Sequence, residues 1–450
     1  MSARDGGRPG AASIAVLMAA TFPGPFCYSA IGVAVPTLAR EFRLTPNEVQ
    51  WAASAFITAM MGGMLVASAL LARHGLARSL AIAGTGFAVA AAGAAAAPSF
   101  AAVVALQFVM GSFAGLMQPI ALVTLYRLYP DALRGRATSI YGLGISMVST
   151  LAPTLAGTLI DAWSWRGLFV VPIPLALCGL LAARRVRDAP RERRAVPDIG
   201  GLVGLWIALL ALLAIDVRGE RMATVVLPLG VALAAFVAVG WRLARARHPL
   251  IDPHLFRYPG FVAASLLALL YGALMFGLIY LVPIYMQLAL GASPTMAGAA
   301  QIPAGVALAV AVVAGGRAID RWAYRPVLAG GLLVLATSCA LLGFPALSAT
   351  VLAATVWSAT GRIGIGLIFS GLNTGATRVV PDERMPEVPG VVNFFRLLGG
   401  ALGVKALSLV IDARLAGAGG TARADAFSDA FLLLALLALA AVPLARRMRS

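Results

Sequence analysis

The stretch FVAASLLALLYGALMFGLIYLVPIYMQLA, residues 261–289, decides the fold because it contains no charged side chain. An α-helix rises about 1.5 Å per residue, so about twenty apolar residues cross the roughly 30 Å of hydrocarbon in a bilayer. Apolar runs of this length recur along the chain, in which 60% of residues are hydrophobic and only 12% are charged. The sequence therefore predicts an all-α integral membrane protein.

Fourteen membrane-spanning helices are predicted from these runs. They cover residues 11–37, 49–71, 79–97, 101–126, 138–162, 166–183, 200–217, 223–241, 261–289, 295–315, 327–346, 348–376, 390–413 and 427–445. With both termini in the cytoplasm, roughly 25 of the 35 basic residues fall inside and roughly 7 outside. The positive-inside rule thus predicts a multi-pass protein of a bacterial-type inner membrane, with both termini cytoplasmic.

Several functional classes are excluded by the composition. The net charge is +17, but the basic residues stand singly between apolar runs, so nucleic acid is not an expected partner. Cys27, Cys178 and Cys339 all lie inside apolar runs, where no disulfide framework or metal-ligand spacing follows. Because no buried histidine cluster, acid pair or nucleophile with a base is evident, we expect neither an enzyme nor a cofactor.

The basic stretch ARRVRDAPRERR, from Ala183 to Arg194, separates six predicted spans from the rest, and its proline argues against a continuous helix. It is interpreted as a linker between bundles. The predicted units are a six-helix bundle at 1–183, a cytoplasmic basic linker at 184–199, a two-helix insert with its following loop at 200–260, and a second six-helix bundle at 261–450.

Short motifs occur in a characteristic order along the chain. They are VAVPTLAREFRLTPNEVQW (33–51), YPDALRGRA (129–137), APTLAG (152–157), WRGLF (165–169), PLIDPHLF (249–256), LVPIYMQLALGASPTMAG (281–298), GRAIDRWAYR (316–325) and NFFRLLGGALG (393–403). In this order and spacing they resemble the fourteen-helix drug:proton antiporter branch of the major facilitator superfamily. The loop GRAIDRWAYR departs from the family pattern by having Ala323 where a second glycine is usual.

The resemblance implies two six-helix bundles around a central passage that opens alternately to either side. It implies efflux of small, amphiphilic organic molecules, as in multidrug resistance, with protons as the coupling ion, the lipid bilayer as surroundings and a monomeric state. The gating or coupling candidates are Ala152, Pro153, Gly157, Asp320, Arg321, Arg362 and Arg396. Asp320 is expected to pair with a nearby arginine and hold the bundles together at the cytoplasmic face.

Three charged positions of the family pattern are missing from the first half, where Cys27, Ala72 and Gln107 stand instead. No Asp or Glu lies in the middle of any predicted span. Asp161, Asp216 and Asp412 are expected within about two residues of the outer ends, in reach of water. The sequence therefore leaves two interpretations open, a proton-driven exporter and a facilitator driven by its substrate gradient.

The charges predicted at membrane depth are Arg362, Arg396 and Lys405, all positive. At about 100° per residue, Arg396 and Lys405 point to opposite sides of one helix. Arg396 shares its face with glycines, which favours a structural or gating role. Lys405 either binds an anionic substrate, exchanges a proton, or snorkels to the outer interface.

Aromatic and polar side chains at span positions suit amphiphilic substrates. The substrate-binding candidates are Tyr28, Phe56, Gln107, Gln118, Tyr141, Tyr285, Asn393 and Lys405, with Tyr271, Gln287 and Asn373 as further pathway-lining residues. Two other readings of the same architecture stay open, an importer of organic anions and a membrane receptor that binds a ligand without moving it.

Overall fold

The computed structural model describes residues 18–128, 134–185, 199–215, 223–245, 253–381, 384, 388–416 and 422–448. These residues form helices joined by short connectors. In chain order the helices are α1 Pro23–Phe42, α2 Pro46–Val49, α3 Trp51–Ala95, α4 Phe100–Leu128, α5 Arg134–Ala162, α6 Gly167–Val170, α7 Pro172–Arg185, α8 Ile199–Leu213, α9 Ala223–Arg245, α10 Pro259–Leu288, α11 Pro294–Ala299, α12 Gln301–Trp322, α13 Tyr324–Gly343, α14 Pro345–Ser348, α15 Val351–Arg378, α16 Val388–Ala416 and α17 Ala422–Arg447.

The described helices make fourteen rods: α3 is divided at Gly75, α6 with α7 and α11 with α12 each make one rod, and the one-turn helices α2 and α14 are counted with the connectors. Ten helical segments of the described chain are long and apolar enough to cross a membrane. Gly167–Leu181 and Ile199–Leu213 are apolar but shorter. The predicted all-α membrane architecture is confirmed, and most predicted boundaries lie within a few residues of the observed ones.

The rods end at two faces of the bundle that differ in charge. The connectors at one face carry Arg73, Arg78, Arg317, Arg321 and Arg325, and we call this face the basic end. We call the other face, formed by the connectors at 43–50, 96–99, 163–166, 289–293 and 344–350, the opposite end.

Two connectors at the basic end share one unusual backbone conformation. Gly75 divides α3 with φ 78° and ψ 177°, and Ala323 joins α12 to α13 with φ 67° and ψ 167°. This combination of positive φ and extended ψ is occupied essentially by glycine, because a Cβ clashes with the backbone there. Ala323 therefore carries backbone strain at the position where the sequence pattern lacks its glycine.

Ala323→Gly is expected to stabilise the folded protein by about 1 kcal/mol. Glycine relieves strain of roughly 1–3 kcal/mol but has more freedom to lose on folding. The mirror change Gly75→Ala should destabilise by about 1–3 kcal/mol for the same reason. Thermal unfolding of the purified protein in one detergent measures both, and a lower melting temperature for Ala323→Gly would contradict the strain.

Each half of the molecule contains a helix pair that packs backbone against backbone. In the first half, a Cβ on Gly115 of α4 would come within 2.0 Å of the Met60 carbonyl oxygen on α3. In the second, a Cβ on Gly399 of α16 would come within 1.7 Å of the Leu269 carbonyl oxygen on α10. Glycine permits such close approach. In lipid the hydrophobic effect does not drive helices together, so close packing of this kind stabilises the pair.

The pair α8 and α9 is attached beside the first half. Trp206 of α8 covers Gly62 of α3, and its ring centroid lies 5.1 Å from that of Phe108 on α4. Helix α9 packs on α8 and otherwise exposes apolar side chains such as Val237. The pair therefore lies at the periphery of the bundle. The division of the chain into units remains a prediction.

Candidate functional site

The predicted motif on α5 lies on the interface between the two halves. A Cβ on Gly157 would come within 2.2 Å of the Pro294 carbonyl oxygen, and a Cβ on Gly298 within 2.1 Å of the Pro153 carbonyl oxygen. Ala152, beside them, is fully buried. Helix α5 of the first half and α11 of the second therefore meet without intervening side chains, and we call this contact the α5–α11 seam.

Several hydrogen bonds of the described chain join the halves near the opposite end, among them one within the seam, where Thr154 Oγ1 donates to the Gly298 carbonyl oxygen at 3.1 Å. The Thr295 backbone N–H donates to Asp161 Oδ2 at 2.8 Å, next to the seam. Gln287 Nε2 on α10 donates to the Val33 carbonyl oxygen on α1 at 3.0 Å. Together with the seam, these bonds hold the halves together at the opposite end.

Lys405 contributes to the same closure. Its side chain is only 5% exposed, and its Nζ donates a hydrogen bond to Asn47 Oδ1 on α2. The lysine thus links α16 of the second half to the first half. Its ammonium group does not snorkel to the membrane surface, because the halves close over it.

Asp412 corrects an expectation drawn from the sequence. It was predicted to lie in reach of water, but α16 continues to Ala416 and the side chain is 2% exposed. Seven positions after Lys405, it returns to the same helix face at about 100° per residue, two turns closer to the opposite end. It also lies within electrostatic range of Tyr280 on α10. Asp161 is exposed as expected, and Asp216 lies outside the described residues.

The loop signature at the basic end is exposed. Asp320 and Arg321 both face solvent at the end of α12. In the described portion of the chain, Asp320 makes no ion pair. The expected charge pair that would hold the bundles together at this end is therefore not formed among these residues.

Helix α15 has two separate exposed stripes. Leu352, Val356 and Ile363 form one stripe that faces outward. Arg362 and Asn373 are partly exposed along a second line about 100° away, on which Phe369 also falls. Because Arg362 lies within electrostatic range of Tyr28 on α1, this second stripe faces the first half of the molecule.

Arg362 and Arg396 lie around one tyrosine in the middle of the bundle. Both arginines are within electrostatic range of Tyr271 on α10, and Arg362 is also within range of Tyr28 on α1. Neither arginine forms an ion pair or side-chain hydrogen bond with any residue that the structure describes, and Arg396 Nε is buried without a partner. An arginine at this depth costs about 2.5–3.5 kcal/mol on insertion scales, so both require water or a ligand.

The other predicted substrate-binding residues lie at positions of different kinds. Tyr28 and Asn393 lie between the halves: the Tyr28 ring centroid is 5.3 Å from that of Phe276 on α10, and Asn393 Nδ2 contacts Met64 Sδ on α3. Gln118 is partly buried beside Met60. Phe56, Gln107 and Tyr285 are buried. Tyr141 lies on α5, but its side chain is outside the described part.

Tyr285 packs within the second half. Its hydroxyl lies 2.9 Å from both the carbonyl oxygen and Oγ of Ser348, and its ring contacts Phe427 and Phe431 at 5.5 Å. Sequence reasoning missed Asn47 as the partner of Lys405 and Thr295 as the partner of Asp161. Nothing in the sequence around Asn47 indicates a partner on the other half.

The comparisons with known proteins agree with this architecture. The model of the family described as Major Facilitator Superfamily matches residues 17–404. The chain is 27% identical over 397 residues to the methylenomycin A resistance protein of Streptomyces coelicolor, covering 85% of this chain and 81% of that protein. It is 24% identical over 415 residues to the lincomycin resistance protein LmrB of Listeria monocytogenes, covering 89% and 86%. A bacterial homolog of the human lysosomal transporter Spinster, solved inward-facing and unoccupied, matches with a TM-score of 0.70 at 16% identity over 97% of each chain.

Proposed function

Because the chain belongs to the Major Facilitator Superfamily, we propose that it is a secondary transporter that exports small amphiphilic organic molecules by alternating access. The observation that carries the proposal is the α5–α11 seam at one end of a bundle whose interior holds partly exposed arginines at mid-depth. A seam of bare backbone can separate and re-form as the two halves rock, while the interior groups bind the substrate.

Export is the direction supported by two observations. The motif APTLAG, which resembles the antiporter motif, supplies the seam residues Pro153 and Gly157. Two relatives that align over most of the chain are named as antibiotic resistance proteins. Their names indicate antibiotics as a substrate class.

The orientation follows from charge. We assign the basic end to the cytoplasm of a bacterial cell, because connectors rich in arginine are retained on that side. Both termini then lie in the cytoplasm, and the seam lies at the outer face of the inner membrane. The transport unit is taken to be a monomer, since each chain supplies both halves of the passage.

Flux in everted membrane vesicles with an imposed pH gradient tests the proposal. The probes are lincomycin and a panel of anionic, neutral and cationic amphiphiles. Accumulation of at least one probe supports export, whereas uptake only into right-side-out vesicles supports the importer alternative. Binding without flux in either orientation would identify a receptor and overturn the proposal.

Asp412 offers a specific test of proton coupling. It is the buried carboxylate of the described chain, Lys405 lies two turns away on the same face of its helix, and Tyr280 on α10 is within electrostatic range. Asp412→Asn is expected to lower the accumulation driven by a pH gradient at least tenfold, while downhill exchange of the same probe continues. Matching losses of both activities would instead indicate a structural role, and unaltered accumulation would support the facilitator interpretation.

A further inference from the structure

We propose that the passage selects organic anions, with Arg362 and Arg396 binding an oxyanion group of the substrate such as a carboxylate or sulfonate. The inference rests on the proposed function and names the substrate class of the same site.

The charge balance of the interior is the first step. The sequence holds 18 Asp and Glu residues, and none of them lies at the middle of a span, where Arg362 and Arg396 are. Within the ranges that the structure describes, no carboxylate therefore lies at the depth of these two guanidinium groups. Asp412, the buried acid, lies on α16 more than four turns closer to the opposite end than Arg396.

The geometry is the second step. Arg362 on α15 and Arg396 on α16 both lie within electrostatic range of Tyr271 on α10, and a Cβ on the adjacent Gly272 would come within 1.8 Å of the Arg396 carbonyl oxygen. Both arginine side chains are partly exposed, and Arg396 Nε is without a hydrogen-bond partner in the described structure. The two guanidinium groups carry N–H donors that no described residue accepts. Such donors match the paired oxygens of a carboxylate or sulfonate.

The contribution of the first half is the third step. Tyr28 on α1 lies within electrostatic range of Arg362, and its ring packs edge-on against Phe276 of α10 at 5.3 Å. An anion held by the arginines thus lies beside a residue of the other half, with aromatic surface next to it. This arrangement suits an amphiphilic anion and disfavours a cation, which two unneutralised arginines repel.

Equilibrium binding to the full-length protein in detergent tests the inference. The probes share one ring system and differ only in the head group: naphthalene-2-carboxylate, naphthalene-2-carboxamide and naphthalen-2-ylmethylammonium. The carboxylate is expected to bind at least tenfold more tightly than the carboxamide, and the ammonium most weakly. Arg362→Gln and Arg396→Gln should each remove at least tenfold of the carboxylate affinity and so reduce the preference for the carboxylate over the carboxamide. Arg257→Gln, an exposed arginine outside the passage, should change nothing.

The wild-type comparison keeps the inference falsifiable even where a variant fails to fold. Equal binding of carboxylate and carboxamide, or tightest binding of the ammonium, overturns it. Flux of a neutral amphiphile without carboxylate preference overturns the anion assignment while the proposed function stands. Carboxylate-selective, arginine-dependent binding without flux of any probe supports the anion assignment while the proposed function fails.

Discussion

Gly157→Ala is expected to lower transport at least tenfold, although alanine is the better helix former by about 1 kcal/mol. The added Cβ would come within 2.2 Å of the Pro294 carbonyl oxygen, a backbone atom that cannot rotate away. Overpacking of this kind costs about 1–3 kcal/mol, and relief requires α5 and α11 to separate. In the alternating-access cycle proposed above, the seam forms in only one of the two states, so the change shifts the equilibrium away from closure at the opposite end. Initial rates of probe flux, at equal protein level in the membrane, measure the effect.

Gly330→Ala is the matched control for this change. It makes the same substitution within α13, where a Cβ meets nothing within 4 Å, so transport should equal that of the wild type. Gly298→Ala approaches the seam from the second half and should reproduce the loss. Wild-type rates for both seam variants would remove the α5 motif from the transport cycle.

The rods and their order are predictable from the sequence because lipid imposes a simple constraint. A chain in hydrocarbon must satisfy its backbone hydrogen bonds within each segment, so long apolar runs become helices. Helix ends are less constrained, and α16 illustrates the consequence. The helix continues to Ala416, and Ile411 and Asp412 are buried where the predicted boundary would have left Asp412 in reach of water.

The partners of the site residues are not predictable from the sequence, because they depend on how distant helices face one another. Asn47 and Lys405 are separated by 358 positions, and only packing brings them together. Tyr285 is an aromatic residue with a polar hydroxyl, as expected of a pathway residue. Its hydroxyl nevertheless donates to the Ser348 carbonyl oxygen within the second half. Arg362 and Arg396 were predictable as charges at depth, whereas their convergence on Tyr271 required the structure.

Lys405→Met is expected to raise the ratio of molecules with the opposite end open to molecules with it closed by about tenfold or more. The change removes the hydrogen bond between the buried ammonium and Asn47 Oδ1, and bonds to a charged group contribute roughly 1.5–3 kcal/mol. That bond joins the two halves, so its free energy counts only in the state with the opposite end closed. The measurement is the labelling rate of a single cysteine, Thr295→Cys, by a membrane-impermeant maleimide, after Cys27, Cys178 and Cys339 are replaced by serine.

Arg414→Met separates the loss of this link from the loss of a positive charge. Arg414 lies on the same helix, and its Nε is 2.5 Å from Asp429 Oδ2, but its side chain is 64% exposed. Exposed ion pairs contribute about 0–1 kcal/mol, and this pair joins two helices of the same half, so the introduced cysteine should be labelled at the background rate. If Lys405 holds the halves together, the cysteine at position 295 should be labelled faster in Lys405→Met and not in Arg414→Met. Equal rates in both variants would show that the seam and the bonds at Asp161 and Gln287 close the opposite end without it.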